Sequence, residues 1–206
     1  MHDLKLPLHN ILGYIGVLEE SDLDTQQRLD LKGLESNALF LNKMLEELRV
    51  IFLGGRIVVK RELLDWREWM GGVLREFSRV HGLDFGVVEL PEVFVEVDGD
   101  LLRRIFWNLL ENAYFYGGGE VGISSYVEGE RLCVVLENSV LRGVRTGKVR
   151  RRRRGEHTPT GFGLVVVRSL ASRLGLEYEV EGGGERWRVV LRVPLGLDRR
   201  KGLDEG

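Results

Sequence analysis

The first residues able to do chemistry stand at the start of the chain, in the stretch HDLKLPLHN. His2 directly precedes Asp3, and Pro7 follows one turn later within a segment whose apolar residues have helical spacing. A neutral imidazole is a nucleophile toward phosphorus, and a neighbouring carboxylate can accept a hydrogen bond from its second nitrogen. A solvated surface histidine is the alternative interpretation. His9 is a rival nucleophile, but Asn10 rather than an acid follows it.

A second candidate group is the stretch NLLENA, in which Asn108 and Asn112 stand four residues apart on a predicted helix. This spacing places both amides on one helix face. A carboxamide oxygen is a suitable ligand for a magnesium ion that keeps most of its waters and bridges nucleotide phosphates. Helix caps or ordinary surface polar residues are the alternative.

The third group is the stretch TGFGL, where Gly161 and Gly163 stand at the entry of an apolar helix. Glycine lets backbone N–H groups approach a phosphate closely at the positive end of a helix. Simple helix capping explains the same residues, so this motif alone favours neither interpretation.

The elements that must position these groups begin with two helices. Apolar residues recur at alternating spacings of three and four, which is typical of a supercoiled seam: Leu4, Leu8, Ile11, Ile15 and Leu18, then Leu31, Leu34, Ala38, Leu41, Leu45, Leu48 and Phe52. A short turn between them predicts an antiparallel hairpin over residues 1–53, which pairs with a second copy into a four-helix bundle. Packing of the hairpin on its own C-terminal part is the alternative. Because the second helix is longer than the first, the chain is expected to be a fragment.

Residues 56–195 mix helices and antiparallel strands without βαβ regularity, which predicts an α/β sandwich. Strands are expected at 56–60, 84–90, 93–97, 120–128 and 131–139 and in a final hairpin at 176–195, with helices over 65–82, 100–119 and 161–175. Residues 196–206 show no pattern and are expected to be a disordered tail.

The composition excludes several classes of protein. With 206 residues, 43% hydrophobic and 30% charged, the chain is of soluble globular type, and its net charge of −2 favours neither nucleic acid nor a membrane surface. Cys133 is the single cysteine, so no internal disulfide forms and a reducing compartment is expected. No apolar run of transmembrane length or signal peptide is visible.

The order of the three groups resembles the core of the sensor histidine kinases of two-component signalling, over roughly residues 1–195. HDLKLPL resembles the histidine box of that family, DGDLLRRIFWNLLENAYFYG its asparagine box and TGFGL its second glycine box. The resemblance implies an α+β fold. In it, a helical hairpin forms a dimeric four-helix bundle and is followed by an α/β sandwich that binds ATP.

The resemblance also implies a role for each matching residue. His2 would be the phosphoacceptor and Asp3 its general base, while Asn112 would hold Mg²⁺. The residues that would contact the nucleotide are Asn108, Asn112, Tyr116, Glu137, Gly161 and Gly163, with Glu137 accepting a hydrogen bond from adenine. The γ-phosphoryl group of ATP would pass to His2 and then to an aspartate in the receiver domain of a response regulator.

The first glycine box departs from the family pattern. Glu137 stands where the family has the aspartate that binds adenine, and Ser139 and Leu141 replace two glycines. Phe115 stands where a lysine often contacts phosphate, although the run Arg150–Arg154 offers replacement cations. These departures keep open a catalytically degenerate relative that serves as a phosphotransfer protein or scaffold.

The main prediction is an active ATP-dependent protein-histidine kinase with ATP and Mg²⁺ as cofactors. It would be a homodimer, either cytoplasmic or the soluble part of a membrane-bound sensor, with a response regulator as partner. Contact with nucleic acid, or of this fragment with a membrane, is not expected.

Overall fold

The computed structural model describes residues 2–53, 57–85, 88–116, 121–139, 162–183 and 186–196. It begins with two antiparallel helices, α1 (His2–Glu19) and α2 (Thr25–Leu53). A reciprocal cap starts α2: the Gln27 N–H donates to Asp24 Oδ1 at 2.8 Å, and the Asp24 N–H donates to Gln27 Oε1 at 3.0 Å. The predicted hairpin is therefore present, and this cap fixes the start of α2.

The predicted apolar seam is divided between two surfaces of this hairpin. One half lies inside it, where four side chains are at most 6% exposed: Leu8, Ile15, Leu31 and Ala38. The other half faces outward with exposed fractions of 46–58%: Ile11, Leu18, Leu34 and Leu41. The hairpin therefore closes one seam by itself and leaves the other open.

The rest of the described chain contains two antiparallel sheets. The smaller pairs β1 (Glu62–Asp65) with β2 (Phe94–Val97). The larger has four strands in the order β3-β4-β6-β5: β3 (Val121–Glu128), β4 (Arg131–Ser139), β5 (Glu177–Gly183) and β6 (Arg186–Pro194). Gly129, with φ of 59°, makes the tight turn between β3 and β4.

Three helices cover one face of the larger sheet: α3 (Trp66–His81), α4 (Gly99–Tyr116) and α5 (Gly163–Leu174). Asp65 caps α3 by accepting from the Glu68 N–H at 3.0 Å, and Gly82 ends the helix with φ of 62°. The core between helices and sheet includes fully buried Trp66 and Phe106. Val50 near the end of α2 joins the same core. The last turns of the hairpin therefore pack on the sandwich. The alternative to dimerisation, packing of the hairpin on its own C-terminal part, predicts such a contact for the whole hairpin.

The α+β class and the succession of hairpin and sandwich are confirmed. The strand expected at 56–60 is wrong: pairing begins at Glu62, and the Lys60 N–H donates instead to the Asp98 carboxylate at 2.8 Å. The described part of 84–90 contains no strand. Of the predicted tail, only Gly196 is described, and its N–H donates to the Phe94 carbonyl at 2.8 Å. None of the described helices has the length and apolarity to cross a membrane.

Candidate functional site

Helix α4 carries both candidate amides of the asparagine motif. Asp98 fixes its first turn, because its Oδ1 accepts from the Leu101 N–H at 3.0 Å while its Oδ2 accepts from Lys60. One face of α4 is fully buried in the sandwich core: Leu102, Ile105, Phe106, Leu109, Leu110 and Ala113. This anchoring leaves Asn108 and Asn112 at the edge of the buried face, in fixed positions.

The start of α5 lies against the two asparagines. A Cβ atom built on Gly163 would lie 3.2 Å from Asn108 Oδ1 and 3.6–3.7 Å from the amide atoms of Asn112. Asn108 is held in this orientation because its Nδ2 donates to the Arg104 carbonyl at 2.8 Å. The structure thus brings together Asn108, Asn112 and Gly163, which the sequence placed in separate motifs. At this point the positive end of α5 meets two amides, a combination suited to phosphate oxygens.

Two buried amide atoms near the end of α4 lack hydrogen-bond partners among the described residues: Asn112 Nδ2 and Asn138 Oδ1. An unsatisfied buried polar atom costs about 1–3 kcal/mol unless water or a ligand pairs with it. Rotation of the Asn112 amide by half a turn exchanges its two ends, so the same position can present an oxygen. Both atoms therefore fit a polar ligand.

Asn138 is a further candidate for the site, and motif matching missed it. It is only 5% exposed, and its Nδ2 donates to the carbonyl of Ala113 in α4 at 3.4 Å. The signal for it was present in β4, where Leu132, Val134 and Leu136 alternate toward the helices. Because side chains two apart share a face of a strand, position 138 faces the helices as well.

The same alternation puts Glu137 on the other face of the sheet. Its side chain is exposed, and its cross-strand neighbours are Gly122 and Arg188. Glu137 thus lies on the face of β4 that points away from α4, and its contact with adenine stays a prediction. The residue at the end of β4 that faces α4 is Asn138.

Phe115, at the position where the family often has a phosphate-contacting lysine, has its side chain in the core. It is buried, with its ring centroid 5.1 Å from that of Tyr114 and 6.0 Å from that of His81. Phe77 stacks on His81 at 4.2 Å in the same cluster. Phe115 is therefore a core residue.

Several predicted site residues are described only in part. His2 and Asp3 lie in the first turn of α1 and Tyr116 at the end of α4, and in each case only the backbone is described. Gly161, Leu141 and the run Arg150–Arg154 lie outside the described residues. His9 is exposed, and its Nδ1 lies 3.0 Å from the Lys5 carbonyl.

Within the described ranges, no group of three or more His, Cys, Asp or Glu side chains could hold a metal ion. The candidate ligand for Mg²⁺ is instead the Asn112 amide, and a single amide suits an ion that keeps several waters and binds substrate phosphates.

Comparison with curated proteins finds relatives that are sensor proteins. Sensor protein KdpD of Escherichia coli strain K12 is 30% identical over 213 residues, which cover 92% of this chain and 23% of KdpD. The aerobic respiration control sensor protein ArcB of the same strain is 26% identical over 94% of this chain and 28% of ArcB. The chain thus spans about a quarter of the length of these relatives. No protein-family model matches it.

Solved structures agree with the fold. The histidine kinase AdeS of Acinetobacter baumannii superposes with a TM-score of 0.64 at 20% identity, over 96% of this chain and 99% of that one. Full-length ShkA, solved in complex with AMPPNP, gives a TM-score of 0.71 at 21% identity, over 95% of this chain and 44% of ShkA. By sequence, by the order of its motifs and by fold, the chain belongs to the sensor histidine kinases.

Proposed function

We propose that this chain is the catalytic core of an ATP-dependent protein-histidine kinase, with a hairpin domain at 1–53 and an ATP-binding domain at 56–195. The observation that carries the proposal is the meeting of Asn108, Asn112 and Gly163 at the start of α5, where a Cβ atom built on Gly163 would lie 3.2–3.7 Å from amide atoms of both asparagines. Nucleotide binding is supported by ShkA, a relative in fold that was solved with AMPPNP.

The phosphate end of the nucleotide would lie between α4 and the start of α5. There Asn112, whose amide has an unpartnered atom, would hold Mg²⁺, and Asn108 would face the phosphates. The absence of a side chain at Gly163 leaves room for phosphate oxygens beside both amides. Bound Mg²⁺ would neutralise charge on the β- and γ-phosphates. Tyr116 and Gly161 are proposed to line the same nucleotide.

The adenine end would lie against Asn138 instead of Glu137. Because the Nδ2 of Asn138 donates to the Ala113 carbonyl, its Oδ1 is left as an acceptor. An acceptor there matches the exocyclic amine of adenine, which donates, and mismatches the carbonyl of guanine. An amide carries no charge, so it binds this amine more weakly than a carboxylate would.

His2 would be the acceptor of the γ-phosphoryl group. A ring nitrogen forms the new bond to phosphorus, the bond to the β–γ bridging oxygen breaks, and ADP leaves with the electron pair. Asp3 accepts the proton of the other ring nitrogen. The phosphoryl group would then pass to an aspartate of a response regulator, and the open apolar seam of the hairpin would hold a second copy of the chain. Use of ATP and the single cysteine favour a cytoplasmic location.

The decisive experiment measures transfer of label from γ-labelled ATP with magnesium to the protein. Wild type, His2→Gln, Asn112→Ala and His9→Gln are compared, with His9→Gln as the matched control because His9 is the rival nucleophile. We expect acid-labile, base-stable label on wild type and His9→Gln, none on His2→Gln, and at most a small fraction on Asn112→Ala.

Binding of a fluorescent ATP analogue, measured in parallel, identifies which part of the proposal fails. Normal label on His2→Gln with loss on His9→Gln would move the acceptor to His9. Wild type that neither takes label nor binds nucleotide would leave the degenerate phosphotransfer protein as the function.

The assignment of the adenine contact has its own test. Asn138→Leu removes the acceptor and should weaken binding of the ATP analogue by about tenfold, the value of one hydrogen bond of about 1.4 kcal/mol. Asn138→Asp should strengthen it, because a carboxylate is the better acceptor for an amine. The matched control is Glu137→Gln, which should bind like wild type. Loss of binding in Glu137→Gln alone would restore Glu137 to the site.

A further inference from the structure

Charged contacts at one turn of α2 join the hairpin to α4, the helix that carries Asn108 and Asn112. Lys43 Nζ lies 2.5 Å from Glu111 Oε2 of α4, and the Arg104 guanidinium of α4 donates to the Glu46 carbonyl at 3.0 Å. The Glu46 carboxylate forms an ion pair with Lys5 of α1. A single turn of α2, residues 43–46, therefore contacts both α1 and α4.

This junction connects the two ends of the proposed reaction. Lys5 follows His2 by three residues, so the two positions share a face of α1. On α4, Arg104 and Glu111 flank Asn108 at spacings of four and three, so all three residues share a face as well. The helix that carries the phosphoacceptor is thus linked through α2 to the helix that carries the magnesium-binding asparagine.

The junction is built from charge and is loosely packed. A crevice of about 340 Å³ remains between α2 and α4, and Asn108 and Trp107 lie among its lining residues. Burial alone would raise the pKa of Glu46, but the hydrogen bond and charge of Lys5, with the charges of Arg49 and Arg104, hold that pKa below its ordinary value. The carboxylate therefore stays ionised. A polar, incompletely filled contact favours domains that dock and separate over a permanent interface.

We propose that Lys43, Glu46 and Glu111 are positioning residues, which dock the ATP-binding domain on the hairpin so that the γ-phosphate meets His2. This inference rests on the proposed function and adds to it the contacts that bring acceptor and donor together. The residues act through docking and do not touch the nucleotide. Their loss therefore lowers the rate of transfer at saturating ATP and leaves the affinity for ATP unchanged.

The test exchanges the charges of the Lys43–Glu111 pair. Lys43→Glu should reduce the rate of His2 labelling at saturating ATP by about tenfold or more, because small misplacements of reacting groups are costly. The double variant Lys43→Glu/Glu111→Lys restores the pair and should recover most of the rate, with an unchanged KM for ATP throughout. Lys32→Glu, at an exposed position about three turns away on α2, is the matched control.

A second measurement does not depend on phosphorylation. A carbodiimide joins an amine to a carboxylate in contact, so it should link Lys43 to Glu111 in wild type, as detected by mass spectrometry of a digest. A cross-link in a protein that takes no label would leave the junction standing and sink the proposed kinase. Normal labelling in Lys43→Glu, a faster rate in it, or no recovery in the double variant would overturn the positioning role.

Discussion

The hairpin and the sandwich bury their apolar residues in opposite ways. The sandwich closes on itself around fully buried aromatic residues such as Trp66 and Phe106, and all of α4's inner face lies in that core. The hairpin closes only one of its two seams and leaves large side chains such as Tyr14, Leu34 and Leu41 exposed. The difference indicates that the core of the sandwich is complete in one chain, whereas the hairpin keeps an apolar surface suited to packing against a partner.

The polar contacts follow the same division. Inside the sandwich, single carboxylates cap helices, as Asp65 and Asp98 do. Between the hairpin and the sandwich, apolar packing is confined to the end of α2, where Val50 joins the core, and ion pairs such as Lys43–Glu111 make the contact one to two turns earlier. The sandwich is thus held by its own core, whereas its junction with the hairpin depends in part on charge. This arrangement suits an enzyme whose acceptor histidine must meet first a nucleotide and then a separate protein.

The largest expected effect comes from charging the open seam of the hairpin. In a symmetric dimer, Leu34→Glu/Leu41→Glu places four carboxylates in an apolar interface. At each of these four positions the dimer loses about 1 kcal/mol of apolar burial, and a carboxylate must also be removed from water. The dissociation constant of the dimer should therefore rise by at least about 10⁴-fold. Analytical ultracentrifugation of wild type and variant measures the change.

The control for the seam is Leu39→Glu, which makes the same exchange on the opposite side of α2 at a residue that is also exposed. It should stay dimeric. Affinity for the ATP analogue should be unaltered in both variants, because α4 and α5 are untouched. A monomeric wild type, or a double variant that remains dimeric, would contradict the assignment of the open seam to a second copy.

The sequence predicted the elements whose signal is local. Helix α4 was readable because its apolar period and its paired asparagines lie within one segment, and Asp65 was readable as a cap because the cap bonds three residues ahead. The prediction of a strand at 56–60 was wrong because a residue distant in the sequence fixes the conformation of this segment. The Lys60 N–H donates to Asp98, which lies 38 residues further on. Such a contact leaves no trace in the local pattern.

The candidate site also depends on contacts between residues that are distant in the sequence, which local patterns do not predict. Gly163 and Asn112 were identified separately, but only the fold brings them together, so that a Cβ atom built on Gly163 would contact the Asn112 amide. The choice of Glu137 followed the expected residue type, an acid, whereas the alternation of β4 points position 138 toward α4. The division of the heptad residues into a closed and an open seam was not readable either, since Leu31 and Leu34 are chemically identical.

A smaller effect is expected from a cavity inside the sandwich. Phe106 is fully buried, with its ring centroid 5.7 Å from that of Trp66 and 5.9 Å from that of Trp69. Phe106→Ala should lower the free energy of unfolding by about 3–5 kcal/mol, because the packed core cannot collapse around the lost ring. Urea denaturation followed by tryptophan fluorescence reports on this core directly.

The matched control is Val80→Ala at an exposed position of α3, which should change the stability by no more than about 0.5 kcal/mol. Phe106→Ala should leave the association of the hairpins unchanged at temperatures where the sandwich is folded, since the open seam lies on α1 and α2. If the dimer and the tryptophan signal were lost in one coincident transition in both wild type and the cavity variant, the sandwich and the hairpin would be a single cooperative unit. The contrast between a closed domain and an open one would then have to be given up.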